Sequence, residues 1–358
     1  PLFKPLPGSP FRSPFTLHHC TPLPFLFPSP HPMKTPASLL LLACCSLLSA
    51  AEPAAPKAKP AEPTAFLTVE AAGSDFLLQG EFATKGLGAD IIALGADKYR
   101  LVIFQGGLPG AGWDGSAKAE LEGIKNGSKV DFTPKAGEAR ATLEDGQLKL
   151  TRTGNEATTL SRIIRRSPTE GLAAPAGAKI LFDGKNADAW KDGKVDERGF
   201  LRCGTTSKDL FKDYTLHLEF MLPFKPFARG QGRANSGVYH QDRYEVQVLD
   251  SFGLKGENNE CGGIYTISSP KVNMCLPPLQ WQTYDINFTA AKFDAQGQRT
   301  AWARITVRHN GVLIQDNVEL PHTTTSSGIK TITDTLGPFQ LQEHGNPVYY
   351  RNIWVLEK

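Results

Sequence analysis

The sequence predicts an all-β chain in which a small β domain precedes an antiparallel two-sheet sandwich. Three observations carry that expectation. Short apolar runs recur between turn signals along most of the chain, and long helical periods are missing. After residue 180 about ten such runs crowd into roughly 180 residues, more strand than one sheet can hold without burying a face against another. At 358 residues there is room for two domains, and a 40% hydrophobic content is ordinary for a globular protein.

Residues 1–32 are dominated by Pro, Phe, Leu and Ser without a hydrophobic period. Met33-Lys34 then opens a pattern that reads as a beginning: one cation, an apolar run from Ser38 to Leu48, and small residues at Ser49-Ala50-Ala51 where a signal peptidase would cut. We therefore expect 1–32 to lie upstream of the true start and 33–51 to be a signal peptide, with the protein exported to the periplasm or the exterior. The apolar run is too short for a transmembrane segment. A lipoprotein with Cys44 or Cys45 as the lipidated residue is disfavoured, because it would leave a very short apolar region in front. Removing Lys4, Arg12 and Lys34, which have no acid among them, takes the formal charge from +3 to 3 − 3 = 0. A neutral chain without a basic stripe has no electrostatic footprint for nucleic acid or an anionic membrane.

The elements follow in order. Residues 52–65, rich in Ala, Pro, Lys and Glu, have little to bury and read as a flexible leader. In 66–167, strands are expected at Phe76–Phe82, Ile91–Leu94, Tyr99–Phe104, Ala139–Leu143 and Gln147–Leu150, with Asp145-Gly146 as a hairpin turn. The glycine-rich loop from Gly106 to Gly115 carries Trp113, which could stack on a sugar but more simply closes a small core. No phosphate-loop lysine or dinucleotide fingerprint follows, so no nucleotide or redox cofactor is indicated. Residues 168–179, with Pro168, Gly171, Pro175 and Gly177, read as a linker that few contacts cross. The second domain then runs 180–358, and Asn310-Gly311 between two apolar runs is its clearest hairpin signal.

Strand parity says which side chains leave the core. In Tyr244–Val248 the apolar Tyr244, Val246 and Val248 alternate with Glu245 and Gln247, a carboxylate and an amide side by side on the other face. The same parity turns His217 and Glu219 away from Leu216, Leu218 and Phe220, and turns Gln340 and Gln342 away from Phe339 and Leu341. If those strands are neighbours, Glu219, Glu245, Gln247, Gln340 and Gln342 line one polar sheet suited to a polyol. Cys203, Cys261 and Cys275 remain after cleavage, and one bridge between Cys261 and Cys275 stands against three buried thiols. No cysteine spacing resembles structural zinc.

Leu181-Phe182-Asp183-Gly184-Lys185 with Trp190, Leu218-Glu219-Phe220, Asn235-Ser236-Gly237-Val238-Tyr239, Tyr244 to Asp250, Gly263-Ile264-Tyr265, Trp281 with Tyr284, and Leu341 to Gly345 with Arg351-Asn352-Ile353 occur in this order. Together they resemble the 3-keto-disaccharide hydrolase family over residues 180–358. The resemblance implies a concanavalin A-like jelly-roll sandwich acting on glycosides already oxidised at the 3-OH. Two segments depart from the family pattern: the long basic stretch Phe224 to Arg233, and residues 254–278. A ketone at C3 acidifies the C2 proton, so one carboxylate base suffices to remove it, and the enolate expels the C1 substituent. A direct glycosidase needs two carboxylates across the bond. Glu245-x-Gln247-x-x-Asp250 has an amide in its middle, which points away from that chemistry.

Glu245 is the first candidate for the base and Glu219 the second. His344 or Arg351 would stabilise the enolate, although His344 also reads as a turn residue before Gly345, and Arg351 with Asn352 as a pin for the last strand. Asn235, Tyr239, Gln247, Asp250, Gln342 and Trp281 complete the expected sugar-binding set. A divalent cation gripped by Glu219 and Glu245 would polarise the ketone equally well, but no motif declares one. The competing reading is a carbohydrate-binding or cell-surface interaction module on the same sandwich. An enzyme should converge titratable groups on one point and a binding module should offer a platform of aromatics; Glu219 and Glu245 on opposite sheets would favour the module.

Overall fold

The computed structural model describes residues 65–134, 139–152, 154 and 156–358. The expected start site, signal peptide and most of the leader lie outside the described residues. Among the described residues no helix is long and apolar enough to cross a membrane.

The first element is a helix, α1 (Val69–Leu78), where a strand was expected to begin at Phe76. Thr68 caps it by accepting from Ala71 N at 3.2 Å, and Gly73 (φ 67°) kinks it. Phe76 packs edge-on against Phe224 at 5.4 Å. A short apolar cluster gives too little period to separate helix from strand, and the cap decides.

Eight antiparallel strands follow: β1 (Gly80–Thr84), β2 (Leu87–Gly95), β3 (Lys98–Gln105), β4 (Ala119–Asn126), β5 (Lys129–Thr133), β6 (Ala139–Glu144), β7 (Gln147–Arg152) and β8 (Thr158–Ile163). They close into an up-and-down barrel in sequence order, with β8 pairing β1. Phe82, Ile91, Leu101, Ile103, Phe132, Leu148 and Leu160 fill it. Asp145 and Gly146 (φ 49° and 72°) make the β6–β7 turn as expected. β4, rich in Glu and Lys, gave no strand signal; its alternation of buried Leu121 and Gly123 with exposed Glu120 and Glu122 is enforced by pairing with β3.

The sandwich comprises β9 (Lys179–Phe182), β10 (Trp190–Lys191), β11 (Leu201–Arg202), β12 (Thr205–Ser207), β13 (Tyr214–Met221), β14 (Ser236–His240), β15 (Tyr244–Val248), β16 (Trp281–Thr289), β17 (Lys292–Phe293), β18 (Arg299–Ala301), β19 (Ala303–His309), β20 (Val312–Leu320), β21 (Gln340–Leu341) and β22 (Tyr349–Glu357). One sheet runs β10-β12-β21-β14-β15, and the other β11-β22-β13-β16-β19-β20 with β9 against β22. Leu216, Leu218, Phe220, Ile286 and Val307 from the larger sheet pack with Val238, Tyr244, Val246 and Leu341 from the smaller in one core. Asn310 and Gly311 (φ 50° and 79°) form the predicted β19–β20 turn. β15 is an edge strand, and a loop seals its outer side: Gln247 N donates to the Gly263 carbonyl at 2.9 Å, and Gly262 N to the Gln247 carbonyl at 3.0 Å.

Barrel and sandwich are not separated by a bare linker, and the expectation that few contacts cross 168–179 fails. Gly171 N donates to Glu219 Oε1 at 2.5 Å, Thr169 Oγ1 to Asp285 Oδ2 at 2.7 Å, and Trp354 Nε1 to the Leu172 carbonyl at 3.1 Å. The segment is a strap laid across the outer face of the larger sheet. Pro and Gly set its local conformation, but its backbone groups still found partners. The outward side chains Ile92, Val102 and Phe104, with Leu108 after β3, join the sandwich core. Trp113 sits edge-on to Phe104 at 5.6 Å, packed rather than presented. Cys203, Cys261 and Cys275 are all buried free thiols, so the bridge is not formed.

Candidate active site

Parity places Gly237, Tyr239, Glu245, Gln247, Gln340 and Gln342 on the outer face of the smaller sheet, where β21, β14 and β15 are consecutive. Tyr239 stands directly across from Glu245, and Gly237 across from Gln247. The glycine is required by space: a Cβ there would lie 2.1 Å from Glu245 Oε1. The open hollow above is lined by Gln231, Asn235, Glu245, Gln247, Tyr265, Ser326, Gln342 and His344. It is shallow, about 40 Å³, whereas a groove of about 520 Å³ lies on the barrel beside Arg100, Glu120 and Ile124. The smaller hollow is the chemical one, because buried polar groups converge on it.

Glu245 is 3% exposed and receives the Tyr239 hydroxyl on Oε2 at 2.8 Å. Burial pushes its carboxyl up to about 7, against the downward pull of that hydroxyl. Tyr239 is itself driven well above the usual phenol range, first by burial and then by the neighbouring carboxylate, so it stays a donor. Gln342 Nε2 donates to the Tyr239 hydroxyl at 3.2 Å, and Gln342 Oε1 has no partner among the described residues.

Gln247 stands between two sets of acceptors. Glu245 Oε1 (2.9 Å) and the Ser236 carbonyl (3.0 Å) lie on one side, Gln231 Oε1 (2.9 Å) on the other. One NH2 group cannot serve both. With Glu245 ionised, the two acceptors outweigh the one and the NH2 turns toward the carboxylate; with Glu245 protonated, its O–H donates to the Gln247 oxygen and the NH2 serves Gln231.

Of the residues expected from sequence, Glu245, Tyr239, Gln247, Asn235, Gln342 and His344 come together here. His344 is exposed at the rim, in the turn before Gly345. Glu219, Arg351, Trp281 and Asp250 do not join them. Glu219 lies on the opposite face of the sandwich, where Arg351 Nε (2.6 Å), Asn352 Nδ2 (2.9 Å) and Gly171 N donate to it. Burial alone would raise its carboxyl, but the hydrogen bonds from His217, Asn352, Gly171 and Arg351 bring it down to about 2. Arg351 also reaches Glu170 at 2.9 Å and lies over the Trp281 ring at 4.0 Å, so it pins the strap and the last strand. Asp250 is 2% exposed and holds Arg233 Nε at 2.7 Å. Parity correctly turned each of these away from its strand's apolar face; what it could not supply was which sheet each strand joins.

A divalent cation held between Glu219 and Glu245 is excluded by the same separation. Among the described residues no group of three His, Cys, Asp or Glu side chains forms a metal-ligand set. The structure adds Gln231, Tyr265 and Ser326. Gln231 belongs to the basic stretch that departs from the family pattern and Tyr265 to a motif carrying the resemblance, so both had a signal; Ser326, in a Thr/Ser run, had none.

Two solved structures from Parabacteroides distasonis, each described as a "putative glycosyl hydrolase", are similar to the chain. One is 34% identical over 52% of this chain and 85% of that one, with a TM-score of 0.48. The other is 17% identical over 51% of this chain and 94% of that one, with a TM-score of 0.38. No curated protein matches. A family model described as the 3-keto-alpha-glucoside-1,2-lyase-like domain matches residues 177–356, half of the chain and the whole sandwich with its cleft. The chain belongs to that family.

Proposed function

We propose that the protein is a carbohydrate-active enzyme that cleaves 3-keto-glycosides, with Glu245 as the base that takes the C2 proton. Family membership supports a glycoside-acting enzyme. The observation that carries the finer reading is a buried carboxyl titrating near 7 at the floor of an amide-lined cleft. A base with that value is half ionised at neutral pH and strong enough to compete for an acidified C–H proton. The Tyr239 hydroxyl holds Oε2, which leaves Oε1 to the cleft side, beside Gln247. The C2–H electron pair becomes the enolate, its collapse breaks the C1–O bond, and water adds afterwards. Tyr265 and His344 at the rim are placed to donate to the enolate oxygen or the leaving group, and Gln342 Oε1 offers an acceptor for a sugar hydroxyl.

One observation favours the second reading, a non-catalytic carbohydrate-binding module: Glu219 and Glu245 lie on opposite faces. It removes the second carboxylate, which β-elimination does not need and direct hydrolysis does. Aromatic composition weighs against the module, because Trp281 lies on the other sheet and Tyr265 is the only half-exposed ring among the lining residues. The deciding experiment incubates the protein with a 3-keto-glucoside and with its unoxidised parent. Release of the aglycone from the keto compound alone, lost roughly 10²-fold or more in Glu245→Gln, is expected. Binding of both compounds without turnover would establish the module instead.

A further inference from the structure

We infer that Gln231 is a specificity-determining residue of the cleft and that the β-barrel holds it in place. The inference rests on the cleft being a sugar site. Gln231 is the middle residue of a single 3-10 turn, Gly230–Gly232, flanked by Arg229 and Arg233. Its own amide is fully engaged along the cleft wall: Oε1 accepts from Asn235 Nδ2 at 3.0 Å, Nε2 donates to the Asn259 carbonyl at 2.7 Å, and the Gln247 amide lies 2.9 Å away. Gln231 is thus one amide removed from Glu245, at the position a hydroxyl of the unit next to the reacting ring would meet.

Both flanking arginines reach out of the sandwich to the last residues of β2. Arg229 Nη2 donates to the Leu94 carbonyl at 2.6 Å while Nη1 binds the Pro226 (2.6 Å) and Ala228 (2.8 Å) carbonyls of its own segment. Arg233 directs Nη1 and Nη2 at the Ala93 carbonyl, at 3.3 and 3.4 Å, and holds Asp250 through Nε. Phe227 lies so close on Gly95 (φ 75°) that a Cβ there would fall 2.5 Å from its ring. Phe224 exchanges both backbone hydrogen bonds with Phe66 at 2.9 Å. The whole basic stretch is therefore clamped on the barrel, and the turn it carries is set by that domain. An amide fork with no charge recognises a hydroxyl as donor and acceptor at once. A site built to hydrogen-bond a hydroxyl discriminates strongly against a ligand that lacks it.

The test uses the full chain and two substrates, a 3-keto-glucoside whose aglycone is a second sugar and one whose aglycone is 4-nitrophenyl. In Gln231→Ala we expect the ratio of their kcat/KM values to move toward the aryl substrate by roughly tenfold or more, through KM rather than kcat. Arg229→Ala, at an exposed position, should move it the same way, with Arg229→Lys in between. Circular dichroism and melting curves confirm that each variant is folded. Calorimetric titration with the unoxidised disaccharide gives the same ordering of affinities without turnover, so an inactive wild type would sink the enzyme reading and leave this one to be judged on binding. Unchanged affinity and an unchanged ratio in both Gln231→Ala and Arg229→Ala would overturn the inference.

Discussion

Glu245 and Glu219 are buried to a similar degree and titrate in opposite directions, because one has few donors and the other has four. Glu245 goes from 4.5 to about 7 on folding, so between those values the folded chain keeps a proton that the unfolded chain has lost. Stability therefore falls as pH rises through that window, and above it the deficit is on the order of 3 kcal/mol. Glu245→Gln should raise stability by about that amount at pH 8 and leave it unchanged at pH 4, measured by urea denaturation at both values. With Glu245 as base, kcat/KM should fall tenfold per unit below about pH 7. Arg351, by contrast, is expected to be structural: Arg351→Ala should lower stability by roughly 1–3 kcal/mol, leaving Glu219 short of a donor, while kcat of the folded fraction stays near wild type. The sequence made Glu245 legible through its strand period. It could not separate Glu219 from it, because burial under the strap depends on residues 167–172, some fifty positions earlier.

At the scale of elements, β14 and β15 act as one device, a hairpin whose cross-strand pairs Tyr239–Glu245 and Gly237–Gln247 build the floor of the cleft. Gly237→Ala tests it. The added methyl would displace the Glu245 carboxylate, so turnover should drop by about 10²-fold or more while stability changes by roughly 1–3 kcal/mol, read by kinetics and melting on one preparation. Strands with clear alternation and glycine turns were readable with nearly correct limits: Ser236–His240 and Ala303–His309 are strands over those residues. α1 was misread because three apolar residues in a row fit either period. The strap was misread because composition reports conformational freedom, and not whether an N–H will meet a carboxylate.

On the scale of the molecule, the barrel and the sandwich share buried apolar contacts, polar contacts and the cleft wall. A chain starting at Ala178 would lose the Thr169 and Gly171 donors over Asp285 and Glu219, and would uncover the surface packed by Val102, Phe104 and Leu108. We expect that fragment to lack a cooperative melt by circular dichroism, although its boundary reads as a linker. Two domains were visible in the sequence; their dependence on each other was not, since long-range packing leaves no periodic trace. The sealing of β15 carries a last consequence. Its outer side is completed by a loop, through Gly262 and Gly263, so that loop can be lengthened or exchanged without rethreading any strand. Loop grafting can then redesign the cleft's outer rim for a different leaving group while the glutamate and its tyrosine stay where the hairpin puts them.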